Sequence, residues 1–282
     1  NALQGATTGT VTATIDGNGA ELDGLTASGT TATMALTITV DDAVTALQGK
    51  TITEATSVAT VAFTVGINDT FAAVTDGTGV HANMQAVDAK DADVNITVND
   101  AAVANVSADN VTAINALQGA TTGTVTATID GNLAELDGLN ATGAGSKAAM
   151  ALTITVDDAA SGAAGVTALN TIAAASTATV TSGNVSGTAS QLANLTASGT
   201  TATQAYTITV SDTTTASVGA TIADATSLAN TGVNFALGIT DSFAAVTDGT
   251  GVHANIDKID AKDADVNITV NDAAVANVSA DN

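Results

Sequence analysis

The sequence predicts a repeat protein, a β-rich solenoid in which each coil of about 25–32 residues holds one strand and one short helix. Three observations favour it: long segments occur twice, a strand motif recurs at regular intervals, and most apolar side chains are small. A single catalytic pocket gives no reason to keep long surface-rich segments in duplicate. Stacking of like units, by contrast, gives a reason to keep such segments.

The duplications are the first observation. Residues 1–25 return at 115–139 with a single substitution, and residues 71–110 return at 243–282 with 36 of 40 positions identical. Such fidelity over whole segments indicates that complete structural units were copied.

The strand motif is the second observation. The tripeptide ITV occurs at 38–40, 96–98, 154–156, 208–210 and 268–270. Each copy lies in an alternating segment such as ALTITVDDA, in which Leu36 and Ile38 face one side and Thr37 the other, as in a half-buried strand. A second alternating segment, such as TVTATID at 10–16, lies about halfway between successive copies. We expect these strands to stack into a parallel sheet.

The spacing of ITV predicts the domain organisation, a tandem array of about five repeats of 54–60 residues. The second block ends at Asn110, shortly before the first block begins again at Asn115, so another block would follow Asn282 after four residues. We therefore expect the chain to be a segment of a longer array. The approximate units are 1–48, 49–106, 107–164, 165–218 and 219–282.

Short helices are expected after most strands. An acidic or glycine turn is followed there by apolar residues three apart, such as Leu22 and Leu25. Serine or aspartate before such a stretch and glycine after it are helix start and stop signals. Helices of two turns are marginal alone and need packing against a sheet.

A row of immunoglobulin-like β-sandwiches is the alternative fold. A sandwich of about 100 residues needs around seven strands, and only about four alternating segments occur in that length. Aromatic residues make up 2% of the chain, whereas Ala, Val, Thr and Gly dominate. Small and β-branched side chains suit thin, closely spaced layers, which favours the solenoid.

Charge and composition limit the partners. The net charge is −23, from 28 carboxylates against five lysines. This field repels phosphate backbones and anionic lipid but attracts divalent cations, so we predict no nucleic-acid binding. No apolar run approaches the roughly 20 residues that span a bilayer, so we predict no membrane insertion. Without cysteine, neither a disulfide nor a cysteine-ligated zinc site can form.

Aspartates clustered in the duplicated turns are the candidate metal ligands. Calcium binds six to eight oxygens from carboxylates, amides and carbonyls, and a duplicated acidic turn could supply them. The other interpretation is that these residues cap helices and face solvent. The candidates are Asp88, Asp91, Asp93, Asp100, Asp260, Asp263, Asp265 and Asp272, with calcium as the predicted cofactor.

Catalytic motifs are missing from the sequence, and we predict that the chain is not an enzyme. His81 and His253 occupy equivalent positions in TGVHAN with no second histidine, cysteine or base-orienting motif nearby in sequence. A loop or packing role is expected for both.

The segments ITVDDA, LQGATTGTVTATIDG and LTASGTTATMALTITV resemble repeats of very large, acidic, cysteine-free surface proteins of marine bacteria and cyanobacteria, a set that includes RTX-like adhesins. The calcium-binding nonapeptide of RTX blocks is absent. The resemblance implies an extracellular protein of the cell surface. We expect a structural role, part of a filament, sheath or surface layer formed by self-association; the alternative is the stalk of a calcium-dependent adhesin.

Overall fold

Strands and helices alternate along the computed structural model of this protein, which describes residues 1–29, 32–58, 61–103, 106–143 and 148–273. The chain divides into two compact units. Unit 1 comprises Asn1–Ile129 and Gly138–Thr153, and unit 2 comprises Asp130–Asp137 and Ile154–Asn282. The chain passes between the units three times, within strand β6 (Thr124–Gly131), after Asp137, and within strand β7 (Ala149–Val156).

Unit 1 holds six helices and five complete strands among the described residues. They are α1 (Ala2–Ala6), β1 (Thr10–Gly17), α2 (Gly19–Leu22), β2 (Thr33–Val40), α3 (Ala46–Glu54), β3 (Val61–Phe63), β4 (Ile67–Asp69), α4 (Phe71–Val74), α5 (Ala82–Asp88), β5 (Ile96–Val98) and α6 (Ala108–Ala120).

The strands of unit 1 pair in parallel, in the orders β1-β2-β3 and β4-β5-β6. Ile15 lies opposite Ile38, which lies opposite Val61. In the other group, Ile96 lies opposite Val125. The register therefore forms rows of β-branched side chains, which pack well on a pleated surface.

Helices close the core of unit 1. Ile38 and Ile52 are fully buried, as is Met84 of α5. Helices α3 and α5 approach closely at Gly49, where a Cβ atom would lie 2.8 Å from Val87 Cγ2. Glycine is required there because a larger side chain would push the two helices apart.

Unit 2 repeats this alternation of elements. Its elements are α7 (Leu133–Leu136), β8 (Ala160–Ser161), α8 (Gly162–Ala174), β9 (Thr179–Gly187), α9 (Ala189–Leu192), β10 (Thr203–Val210), α10 (Ala216–Asp224), β11 (Val233–Phe235), β12 (Ile239–Asp241), α11 (Phe243–Val246), α12 (Ala254–Asp260) and β13 (Ile268–Val270).

Pairing in unit 2 is also parallel. The order is β7-β9-β10-β11, with β8 beside β9 and β12 beside β13. Ile208 lies opposite Val233, and the neighbouring Tyr206 is fully buried. A Cβ atom at Gly219 of α10 would lie 2.7 Å from Ile259 Cδ1 of α12, so this pair of helices depends on glycine as α3 and α5 do.

The prediction of a β-rich solenoid is wrong: the protein has an α/β fold with mostly parallel sheets. Twelve helices lie in the described part of the chain, and together they hold more residues than its strands. Helices α6 and α8 have 13 residues each, well beyond the two turns expected. In α8, five alanines favour the helix, and Val166, Leu169 and Ile172 recur along one buried face.

The immunoglobulin-like alternative is wrong as well. Sandwiches of that kind are antiparallel, whereas every ladder found between the strands named above is parallel. The five ITV segments do lie in strands, namely β2, β5, β7, β10 and β13. The division into five repeats stays a prediction from the sequence period.

In the part of the chain that the structure describes, no helix combines the length and the apolar character needed to cross a membrane.

Candidate functional site

Aspartates at the end of a strand, or just after it, accept hydrogen bonds from the first residue of an earlier helix. The Asp42 carboxylate accepts from the Gly19 N–H at 2.7 Å, and Asp158 accepts from Leu133 N–H at the same distance. Each acceptor lies 23–29 residues after its donor. The aspartates that make this contact are Asp42, Asp69, Asp100, Asp158, Asp212, Asp241 and Asp272.

These contacts account for seven of the 28 carboxylates of the chain. The first N–H groups of a helix have no partner within it, and a carboxylate satisfies one of them while meeting the positive end of the helix dipole. Asp100 and Asp272, two of the predicted metal ligands, serve in this way for Phe71 and Phe243. Both residues therefore cap helices, as the alternative interpretation of the acidic turns expects. Each cap comes from a residue just after a later strand.

The predicted ligands Asp91 and Asp93 lie in an open recess of unit 1 with a volume of about 320 Å³. Asp91 Oδ2 accepts a hydrogen bond from the Phe63 N–H at 2.7 Å. Lys90 Nζ donates to the Val58 carbonyl at 2.9 Å. The wall of this Asp91 recess includes Thr37, Thr39, Val61, Lys90, Asp91 and Asp93.

Burial raises the pKa of Asp91 to about 6, because the charged carboxylate loses water. The hydrogen bond from the Phe63 N–H opposes that rise, whereas the neighbouring carboxyl of Asp93 adds to it. Near pH 6 the Asp91 recess therefore exchanges a proton readily.

A second recess, of about 310 Å³, occurs in unit 2 around Asp263 and Asp265. Asp263 Oδ2 accepts from the Phe235 N–H at 2.7 Å, as Asp91 does from Phe63. Burial again raises the pKa of this aspartate, and Asp265 adds to the rise. The duplicated segments 71–110 and 243–282 thus supply the carboxyl pair of each recess, whereas the donors Phe63 and Phe235 lie outside these segments.

The remaining predicted ligands, Asp88 and Asp260, end helices α5 and α12. Burial raises the pKa of Asp88. Within the described residues, no three or more His, Cys, Asp or Glu side chains form a group able to hold a metal ion. Each recess would offer calcium two carboxylates, with hydroxyls, carbonyls or water completing the shell. Calcium binding stays a prediction.

A different kind of site emerges where β5 meets β6, a contact that we call the internal junction (residues 92–97 with 121–126). Ile96 lies opposite Val125, and Thr97 lies opposite Thr126. Ile96 and Val125 are each 1% exposed. Apolar side chains on paired strands thus shield each other from water.

Polar contacts hold the register of the internal junction. The Thr124 N–H donates to Asn95 Oδ1 at 2.8 Å, and Thr121 Oγ1 donates to the Val94 carbonyl at 2.7 Å. The backbones approach so closely at Gly123 that an added Cβ atom would lie 2.4 Å from the carbonyl oxygen of Asp93. Only glycine fits at that point.

Both sequences of the internal junction occur a second time in the chain, and there their side chains are open. Residues 1–25 repeat the β6 side of the junction. Leu3 is 67% exposed, whereas its equivalent Leu117 is 1% exposed. Val11 of β1 is half-buried, whereas the equivalent Val125 is buried. Among the described residues, β1 pairs with β2 alone.

The other side of the junction is repeated by residues 260–282, of which 274–282 lie outside the described residues. Ile268 of β13 is 43% exposed, whereas the equivalent Ile96 is 1% exposed. Val270 is 40% exposed and its equivalent Val98 is 5% exposed. In the described part of the chain, β13 pairs only with β12.

Sequence reasoning missed these two edges and the residues that shape them. Gly123 and Thr121 lie in the segment TTG, which also occurs at 7–9. Retention of that tripeptide in both copies was the available signal, but its partner strand could not be inferred from spacing alone.

The two histidines have structural roles. His81 precedes α5, and its Nδ1 accepts from the Asn83 N–H at 3.1 Å; His253 makes the equivalent contact with Asn255 before α12. Each imidazole therefore caps a helix.

Comparison with known proteins finds no relative: no family model, curated protein or solved structure matches the chain.

Proposed function

We propose that this chain is an extracellular structural protein that associates with itself to form part of a filament, sheath or surface layer. One observation carries the proposal. Long, surface-rich segments are kept in duplicate, residues 1–25 at 115–139 and residues 71–110 at 243–282. Association of like units gives a reason to keep such segments, whereas a single catalytic pocket does not.

The polar surface supports a role outside the cell. A net charge of −23 keeps separate copies in solution and repels them from one another at low ionic strength. In salty water this repulsion is screened within about 10 Å, and association through paired strands then becomes favourable. The resemblance of the repeats to bacterial surface proteins agrees with such a location.

Self-association is directly measurable. The purified chain is concentrated at low and at high salt, followed by sedimentation velocity and negative-stain electron microscopy. We expect polymers that grow with protein concentration and with salt. A species that sediments as a single copy at every concentration and salt would overturn the proposal.

A further inference from the structure

We propose that Asn18 is a modification site, where the side-chain amide is lost by deamidation at a rate set by the contact between Asp42 and Gly19. Asn18 follows β1 and precedes α2, which begins at Gly19. Its side chain is exposed to water. The two residues form the one Asn-Gly dipeptide of the sequence. The inference is independent of self-association.

The chemistry joins two neighbouring groups of the chain. The backbone nitrogen of Gly19 loses its proton and attacks Cγ of Asn18. A C–N bond closes a succinimide ring, and the side-chain nitrogen leaves as ammonia. Water, the one co-reactant, then opens the ring at either carbonyl and gives aspartate or isoaspartate. Glycine favours the attack because it has no Cβ atom in the way and its backbone rotates freely.

Packing keeps glycine at position 19. Gly19 is buried, and an added Cβ atom there would collide with Cγ1 of Val44. The second copy relieves the same crowding in the opposite way. Leu133 replaces Gly19, and the smaller Ala160 replaces Val44 after the shared segment ITVDDA. The first copy therefore needs the reactive dipeptide, whereas Asn132 of the second copy precedes a side chain that obstructs the attack.

Two hydrogen bonds slow the reaction in the folded chain. The Gly19 N–H donates to Asp42 Oδ1 at 2.7 Å. The carboxylate holds this proton, and its negative charge opposes the charge that forms when the nitrogen loses it. The Asn18 side chain is also held, since its Oδ1 accepts from the Glu21 N–H at 3.0 Å. Deamidation therefore requires a local opening that frees both groups.

Asn132 is a matched control within the same chain. It is exposed as Asn18 is, and its Oδ1 accepts from the Glu135 N–H at 3.0 Å. The Leu133 N–H donates to Asp158 Oδ1 at 2.7 Å. The two asparagines thus share both restraining contacts and differ in the residue that follows. A difference in their rates isolates the effect of that residue.

The two products have different consequences for the fold. Aspartate at position 18 keeps a capping oxygen and adds a negative charge at the start of α2, which the helix dipole favours. Isoaspartate lengthens the main chain by one carbon between β1 and α2. Because pairing fixes Gly17 opposite Val40, this extra length displaces Gly19 from Asp42. We expect the isoaspartate form to unfold at a lower urea concentration than the parent.

Mass spectrometry of peptides from the aged protein tests the site. The parent and Asp42→Ala, each shown by urea unfolding to be folded, are kept in mildly alkaline buffer for several weeks. We expect Asn18 to convert in the parent while Asn132 of the same molecules stays an amide. In Asp42→Ala the rate at Asn18 should rise about fivefold, the factor by which a typical capping loss favours local opening. Asp42→Asn keeps an acceptor and should convert more slowly than Asp42→Ala.

Two further measurements separate the dipeptide from its restraint. Gly19→Leu combined with Val44→Ala copies the packing of the second copy into the first, and should slow conversion of Asn18 to the level of Asn132. In concentrated urea the capping contacts are lost. There the parent and Asp42→Ala should convert Asn18 at equal rates.

Either part of the proposal can fail by itself. Conversion of Asn132 as fast as that of Asn18, or an Asn18 that stays an amide in both the parent and Asp42→Ala, would overturn the modification site. A rate at Asn18 that is unchanged or lower in Asp42→Ala would overturn the protective role of Asp42. Self-association stands or falls separately, by sedimentation.

Discussion

Strands β1 and β6 have the same sequence, TVTATIDG, but not the same surroundings. Both form strands of eight residues, and both precede a helix whose first N–H is bound by a later aspartate. Yet Ile129 of β6 is fully buried, whereas its copy Ile15 in β1 is half-buried. Strand formation therefore follows from this sequence and the cap recurs in both copies, whereas burial comes from the neighbouring strand.

The largest effect is expected from truncating the two copies of one leucine. Leu117→Ala removes a side chain that is 1% exposed and should lower the free energy of unfolding by about 2–5 kcal/mol. Leu3→Ala removes one that is 67% exposed and should change it by less than about 0.5 kcal/mol. Urea unfolding at low protein concentration, where copies stay separate, measures both.

Equal losses from the two leucine variants would break the comparison. That result would mean that Leu3 is covered in the single copy, and the open surface at residues 1–25 would then not exist.

Removal of a helix cap should instead lower the free energy of unfolding equally in the two copies. Asp42→Ala and Asp158→Ala each remove the acceptor of a 2.7 Å hydrogen bond from a helix N-terminus. Each should lower the free energy of unfolding by about 1 kcal/mol. The matched variants Asp42→Asn and Asp158→Asn keep an acceptor and should lose less. A loss at only one position would contradict the view that the cap recurs with each copy.

The recesses around Asp91 and Asp263 offer a second pair of copies, and pH tests them. The pKa of Asp91 is about 6, above its ordinary value of 3.8, so the folded state binds this proton more tightly than the unfolded chain. The resulting stabilisation is complete below about pH 4 and is lost as the pH rises through about 6. Asp263 shifts in the same direction.

Asp91→Asn removes one titrating group and should flatten the fall in stability between pH 4 and 6. Melting temperatures of the parent, of Asp91→Asn and of Asp263→Asn across this range provide the measurement. An unchanged slope in both variants would show that neither carboxyl titrates in this window.

Calcium should have the smallest effect. With two carboxylates in each recess, we expect an affinity near about 10⁻³ M, typical of weak extracellular sites. Calcium at about that concentration would then stabilise the fold by roughly 0.4 kcal/mol per site. The melting temperature with calcium and with excess EDTA, at fixed ionic strength, measures this. No difference would end the calcium prediction for both recesses.

Some of the fold could be predicted from the sequence because its signals are local. Alternating Thr and β-branched residues indicate strands, and the ITV segments at 38–40 and 208–210 lie in β2 and β10. The lengths of the helices were missed, although the buried Val166, Leu169 and Ile172 of α8 recur three residues apart, because the alanines and glycines between them give a weak signal. As a result the α/β character was underestimated.

The site was less accessible from sequence because its contacts are distant along the chain. Asp100 binds an N–H 29 residues earlier, and Asp91 binds one 28 residues earlier. No spacing rule connects such pairs. The open edges required knowledge of which strands pair, and this knowledge comes only from the register of β5 with β6.

Sedimentation velocity tests the central claim most directly, because it measures how many copies each particle contains. The parent chain is measured over about a hundredfold range of concentration at low and at high salt. The account predicts particles that grow with concentration and with salt, since salt screens the repulsion between copies with a net charge of −23. A single-copy species under every condition would contradict it.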